Sequence, residues 1–143
     1  MNHIRKFWAW FFSVPDEERS AGDIIIWWEK RRIPYNIIVG SVGICSLLLF
    51  YIFFAQSGQL DKLEPSEDAV EPIGLILAPI AINICYTAGW VVEICLSFIW
   101  SEKRSIGPIL LKLGIGFSLL IAVFPSAFWG MYCLLQLVGL AER

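Results

Sequence analysis

The chain has 143 residues, 57% of them apolar and only 17% charged, with 11 Lys and Arg against 13 Asp and Glu. A mean hydropathy of +0.67 excludes an ordinary water-soluble domain, which is about half apolar and a quarter charged. The net charge of -2 leaves no basic surplus for a nucleic-acid partner. The fold class this composition defines is an all-α integral membrane protein.

Near the start, Ile4, Phe7, Trp8 and Phe11 recur at i, i+3, i+4 and i+7. That spacing predicts an amphipathic helix over residues 2–13, lying in the membrane interface rather than crossing it. Pro15 is expected to end it, and the acidic residues 16–18 read as a solvated connector. The aromatic stretch 7–14 lacks the longer aliphatic core and small-residue site of a cleaved signal peptide, so cleavage is not expected. Ser20 and Asp23 are spaced like a capping box that opens a second short helix running to Arg32, with Pro34 separating that helix from the first membrane span.

Trp27, Trp28, Glu29, Arg32, Tyr35 and Asn36 form the string WWExxRxxYN just before the first long apolar run. Aromatic rings favour the headgroup zone and basic side chains snorkel towards water, which accounts for all of the string except Glu29 and Asn36. Glu29 and Arg32 stand at i and i+3, the spacing of an ion pair on one helix face, and Trp28 is expected to pack over Arg32. The string is therefore a candidate docking surface or lipid-headgroup site.

A hydrocarbon core of about 30 Å takes roughly 20 apolar residues in helix. Three stretches qualify, giving spans at about 35–56, 73–100 and 108–138, with an acidic loop over 57–72. Residues 1–34 then form a cytoplasmic or interfacial region and residues 35–141 a transmembrane helical bundle. The last stretch, 106–141, contains Lys112 and Pro125; it is long for one crossing and short for two. Membrane helices tolerate a proline kink, so the reading is three crossings, with four as the alternative. Arg5, Lys6, Arg19, Lys30, Arg31 and Arg32 precede the first span and Lys103, Arg104 and Lys112 flank the third, whereas the loop holds Lys62 among five carboxylates. Basic residues resist translocation, so the N-terminus is expected in the cytoplasm of a bacterial inner membrane.

Membrane helices associate through small residues that let backbones approach. Ala81, Cys85, Gly89, Glu93 and Ser97 recur every four positions, as do Gly114, Ser118, Ala122, Ser126 and Gly130. Two such ladders joined by the short turn 101–105 predict a closely packed antiparallel hairpin. An ionisable group within a span is by default a functional candidate. Glu93 lies about 10 Å inward from Trp100 at 1.5 Å per residue, where an unpaired carboxylate is costly. Lys112 stands at nearly the same distance beyond the turn and is its expected partner, although it is about 200° from Gly114 around the helix. Such a pair is expected to fix helix register rather than to carry a substrate.

Cys45, Cys85, Cys95 and Cys133 all fall in apolar stretches without zinc-like spacing, and are expected to be small, buried, reduced packing residues. His3 is the one histidine, and there is no phosphate-binding loop or dinucleotide fingerprint. No metal, cofactor or catalytic residue is expected. The expected function is that of a small multi-pass membrane interaction protein, an accessory subunit of a membrane complex or an immunity-type partner. The alternative is an oligomeric channel or proton-coupled transporter subunit using Glu93 and Lys112. The expected partners are the lipid bilayer and either another membrane protein or further copies of the chain.

Overall fold

The computed structural model describes residues 2–14, 19–64, 67–99 and 105–140. The connector read at 15–18, the Trp100 end of the second span and the basic turn at 101–104 lie outside the described residues. The described chain consists of α1 (Asn2–Phe12), α2 (Ala21–Gln56), a 3-10 turn (Leu60–Lys62), α3 (Pro72–Ile99) and α4 (Gly107–Leu137). It contains no strand among the described residues. Three helices, α2, α3 and α4, are long and apolar enough to cross a membrane.

Two prolines decide the element count. Pro34 does not separate a juxtamembrane helix from the first span, because α2 runs through it without interruption. Ile24, Trp27, Trp28, Arg31 and Tyr35 are all buried, so one helical stripe is continuous across the proline. Packing of that stripe outweighs the single i→i−4 bond a proline removes. Pro125 likewise sits inside α4, which is one helix of 31 residues rather than two joined by a turn.

The chain forms two compact units, one of Met1–Ile37 with Ala81–Gly116 and the other of Ile38–Ile80 with Phe117–Arg143. The division cuts through all three long helices. In the first unit α2 and α3 are antiparallel. Trp28 meets Glu93, Arg32 meets Thr87 and Asn36 meets Asn83, so the α3 number falls as the α2 number rises.

In the second unit α2 and α4 are parallel. Ser46 bonds Ser126, the Cys133 thiol donates to the Phe53 carbonyl, and Gln136 donates to the Ser57 carbonyl, at sequence separations of 80, 80 and 79. A nearly constant difference is the signature of two helices running the same way. Val39, Ser46, Phe50 and Phe54 form the buried stripe of α2 here, and the Phe54 and Trp129 rings meet edge to face at 4.9 Å. The ends of both helices close on left-handed glycines, Gly58 with φ 73 and Gly139 with φ 74. At the second, Leu140 N–H reaches the Leu135 carbonyl at 2.9 Å and Gly139 N–H the Gln136 carbonyl at 3.2 Å, the paired bonds of a Schellman cap.

The small-residue ladders are only partly packing surfaces, and Gly89, Ser126 and Gly130 pack against α2. A Cβ on Gly89 would stand 2.7 Å from the Trp28 ring, and one on Gly130 would stand 3.1 Å from the Phe53 ring. Ser118 and Ser126 are buried and Ala122 is half-buried. Ala81, Cys85 and Ser97 are exposed, and a Cβ on Gly114 would meet nothing within 4 Å. The four-residue repeat drifts around a 3.6-residue helix, so only part of each ladder faces a neighbour. The cysteines follow the same pattern: Cys45, Cys85 and Cys95 are exposed and Cys133 is half-buried, not the fully buried set expected.

Candidate functional site

Glu93 is the centre of the first unit. It projects from α3, is 3% exposed, and receives four donors among the described residues. Oε1 accepts from Arg19 Nη1 at 3.0 Å, Ser105 Oγ at 2.8 Å and the Gly107 backbone N–H at 3.1 Å. Oε2 accepts from the Trp28 indole N–H at 2.6 Å. Ser105 is itself held in place, its hydroxyl oxygen accepting from Arg19 Nη1 at 2.8 Å. The Arg19–Glu93 pair is closed from water, with side chains 8% and 3% exposed.

The carboxylate also completes the start of α4. The first N–H groups of a helix have no partner within it. Here Gly107 N–H goes to Glu93, Pro108 brings no N–H, and Ile109 and Leu110 both donate to the Ile106 carbonyl at 3.0 Å. A negative charge at this end also suits the helix dipole. Gly107 must be glycine for this approach, since a Cβ would fall 2.6 Å from Oε2. Gly89 plays the matching part on α3, leaving room for the Trp28 ring that delivers its N–H to the same carboxylate.

The ion pair of Glu93 is therefore with Arg19 and not with Lys112. Lys112 instead places its ammonium 5.0 Å from the Phe12 ring centroid. On the helix wheel it turns away from the face that α4 gives to Glu93, in keeping with its angular distance from Gly114. Arg19 is not legible as a partner in the sequence because it comes from the connector before α2, 74 positions from Glu93.

The aromatic members of the WWExxRxxYN string face inward, whereas Glu29 is exposed and Arg32 and Asn36 are half-buried. Trp27, Trp28 and Tyr35 are 5%, 2% and 1% exposed. Glu29 and Arg32 pair at 2.6 Å, but Trp28 does not cover Arg32. The Arg32 guanidinium lies over the Tyr86 ring at 5.2 Å and donates to Thr87 Oγ1 at 3.1 Å. Asn36 donates to Asn83 Oδ1 at 3.1 Å, and the Tyr86 hydroxyl donates to the Trp28 carbonyl. The signal present in the sequence is two polar i, i+4 pairs, Arg32 with Asn36 and Asn83 with Thr87, which register on antiparallel helices.

A second buried cation, Arg31, fastens α1. Its Nε donates to the Phe11 carbonyl at 2.7 Å, Nη2 to the Trp10 and Ser13 carbonyls at 2.7 and 3.0 Å, and Nη1 to the Trp27 carbonyl at 2.9 Å. Trp27 adds an indole bond to the Ser13 carbonyl at 2.7 Å and a ring face 4.0 Å from the guanidinium. Three of these carbonyls close the C-terminal end of α1, the negative end of its dipole. Outside the apolar stretch, Ser20 and Asp23 make the capping box at the start of α2: Asp23 N–H reaches Ser20 Oγ at 3.2 Å and Ser20 N–H reaches Asp23 Oδ2 at 3.0 Å. Hydrogen bonds from the Ser20 hydroxyl and backbone hold the Asp23 carboxyl below its usual range.

Comparison with protein-family models, curated proteins and solved structures finds no match for this chain.

Proposed function

We propose that the chain is a multi-pass membrane interaction protein without catalytic activity, an accessory subunit or immunity-type partner of another membrane protein. Its N-terminus lies in the cytoplasm of a bacterial inner membrane. The observation that carries this reading is the engagement of Glu93. A carrier or proton-coupled site needs a carboxylate that exchanges partners, whereas four donors from α2, α4 and two connecting segments already converge on this one. Such a network serves structural specificity, the best-attested use of buried ionic groups. Recognition then belongs to the exterior. Residues 72–81 of α3 are exposed without exception, and Ile73, Ile76 and Ile80 are 63%, 63% and 51% exposed, an open apolar surface for a partner's transmembrane helix.

Photo-cross-linking from position 76 in native membranes, followed by co-purification, tests the reading. One dominant protein partner is the expected result. Capture of further copies alone, together with a conductance in vesicles that disappears in Glu93→Gln, would overturn it in favour of an oligomeric channel.

A further inference from the structure

The α1 helix carries a feature that the interior network does not use. Its apolar stripe is Ile4, Phe7, Trp8 and Phe11, and the members differ sharply in burial. Phe11 is fully buried where α1 meets α2, while Ile4, Phe7 and Trp8 on the same face are 68%, 38% and 41% exposed. A helix is a rigid rod on this scale, so the face that docks at Phe11 continues unsupported for two turns beyond the point of attachment. Arg5 stands about 60° beyond Trp8 around the helix and Lys6 on the face opposite the stripe, and both are exposed, positions from which long basic side chains reach upward to headgroup phosphates.

The attachment also fixes depth. The α1 C-terminal end is bonded to Trp27 and Arg31 of α2, and the uncharged run of α2 begins at Ile33, two positions beyond Arg31. That is about 3 Å of helix, less than a headgroup layer of roughly 5–8 Å on each side of the hydrocarbon core. The outside of the first unit beside it is apolar, with Ile33, Ile37, Ile84 and Ile109 between 60% and 71% exposed.

We infer that the overhanging half of α1 is a lipid-binding outrigger, with Ile4, Phe7 and Trp8 seated among the acyl chains of an anionic leaflet and Arg5 and Lys6 pairing with its phosphates. The inference rests on the reading that α2, α3 and α4 span a membrane. It adds a defined occupant for a face that the protein itself leaves uncovered. Arg31 gives the outrigger its fixed bearing, because three of its acceptors, the Trp10, Phe11 and Ser13 carbonyls, tie the end of α1 to α2.

The test uses the full-length chain with the photoreactive residue p-benzoylphenylalanine in place of Trp8. The chain is reconstituted into vesicles of phosphatidylcholine alone or of equal parts phosphatidylcholine and phosphatidylglycerol. Intact-mass analysis after illumination should show lipid adducts, with about threefold more in the anionic vesicles, since each basic residue near such a surface is attracted to it. The double variant Arg5→Glu, Lys6→Glu, which leaves the apolar stripe intact, should abolish the difference between the two vesicles. Equal yields in both vesicles for the unmodified charges, absence of lipid adducts, or a dominant adduct to a second copy would overturn the inference. So would a dominant adduct to another protein in native membranes, an outcome that leaves the interaction reading standing. Failure of the chain to float with vesicles would instead defeat the membrane-spanning reading beneath it.

Discussion

Glu93, Trp28, Gly89 and Gly107 act as one arrangement: two glycines make the space, one indole and one backbone N–H fill the carboxylate's valences, and Arg19 balances its charge. Removing one member of a buried ion pair leaves the other uncompensated, at a cost of about 3 kcal/mol. Glu93→Gln should therefore lower unfolding stability in detergent by that order, and an Arg19→Gln, Glu93→Gln double variant should lose clearly less than the two single losses combined. Additive losses would show that the pair is not coupled. The glycines make a sharper test of which ladder residues pack. Gly89→Ala and Gly107→Ala force a Cβ to 2.7 and 2.6 Å from buried groups and should each cost about 1–3 kcal/mol. Gly114→Ala meets open space and should be neutral or stabilising by up to about 1 kcal/mol, the helix-propensity difference. Thermal unfolding of the three variants separates these outcomes. A sequence pattern alone treats Gly89 and Gly114 alike. What distinguishes them is an aromatic ring from a helix more than 60 residues away in the chain, and no local periodicity encodes that.

At the scale of elements, the ends of the helices are more legible in the sequence than their partners. Ser20 and Asp23 form the capping box their spacing predicts, because a cap is a local arrangement within four residues. Its folded carboxyl titrates below the ordinary value of 3.8, so the cap's contribution is present above that pH and is lost as pH falls through the lower, folded value. The protection factors of amides in the first turn of α2, taken against the unfolded rate at each pH, should fall only in that acid window, and Asp23→Asn should remove the dependence. Pro34 misleads for the converse reason. A proline weighs against a helix locally, but the buried stripe from Ile24 to Tyr35 is tertiary and overrides it. The α1 helix depends on tertiary contacts still more, since 11 residues are too few for a stable helix in water. Arg31 donates from three nitrogens of a planar fork that lysine cannot reproduce. Arg31→Lys should weaken the attachment by about 3 kcal/mol, raising amide exchange across residues 2–12 by roughly a hundredfold. Unchanged protection there would mean that α1 is held by something other than this cap.

For the whole molecule, three long apolar helices follow from composition and length, which is why their number is readable from the sequence. Their directions are not, because direction is carried by pairs far apart in the chain. The antiparallel register of α2 with α3 in the first unit and the parallel register of α2 with α4 in the second fit the proposed three crossings. The alternative of four crossings breaks residues 106–141 in the middle and reverses the second half. Ser46 decides between them. Its hydroxyl lies 2.8 Å from that of Ser126, a separation compatible with the roughly 3.8 Å Cβ spacing of a disulfide. In a chain lacking the native cysteines, the pair Ser46→Cys, Ser126→Cys should cross-link on mild oxidation, and the pair Ser46→Cys, Gln136→Cys should not, because Gln136 pairs further along α2, at Ser57. The reverse pattern requires antiparallel helices and would exclude three crossings. Under the proposed orientation residue 60 and residue 106 lie in different aqueous compartments, so an impermeant thiol reagent added to intact cells should label a cysteine at the first and spare one at the second. Labelling of both from outside would contradict the topology even if the cross-link formed.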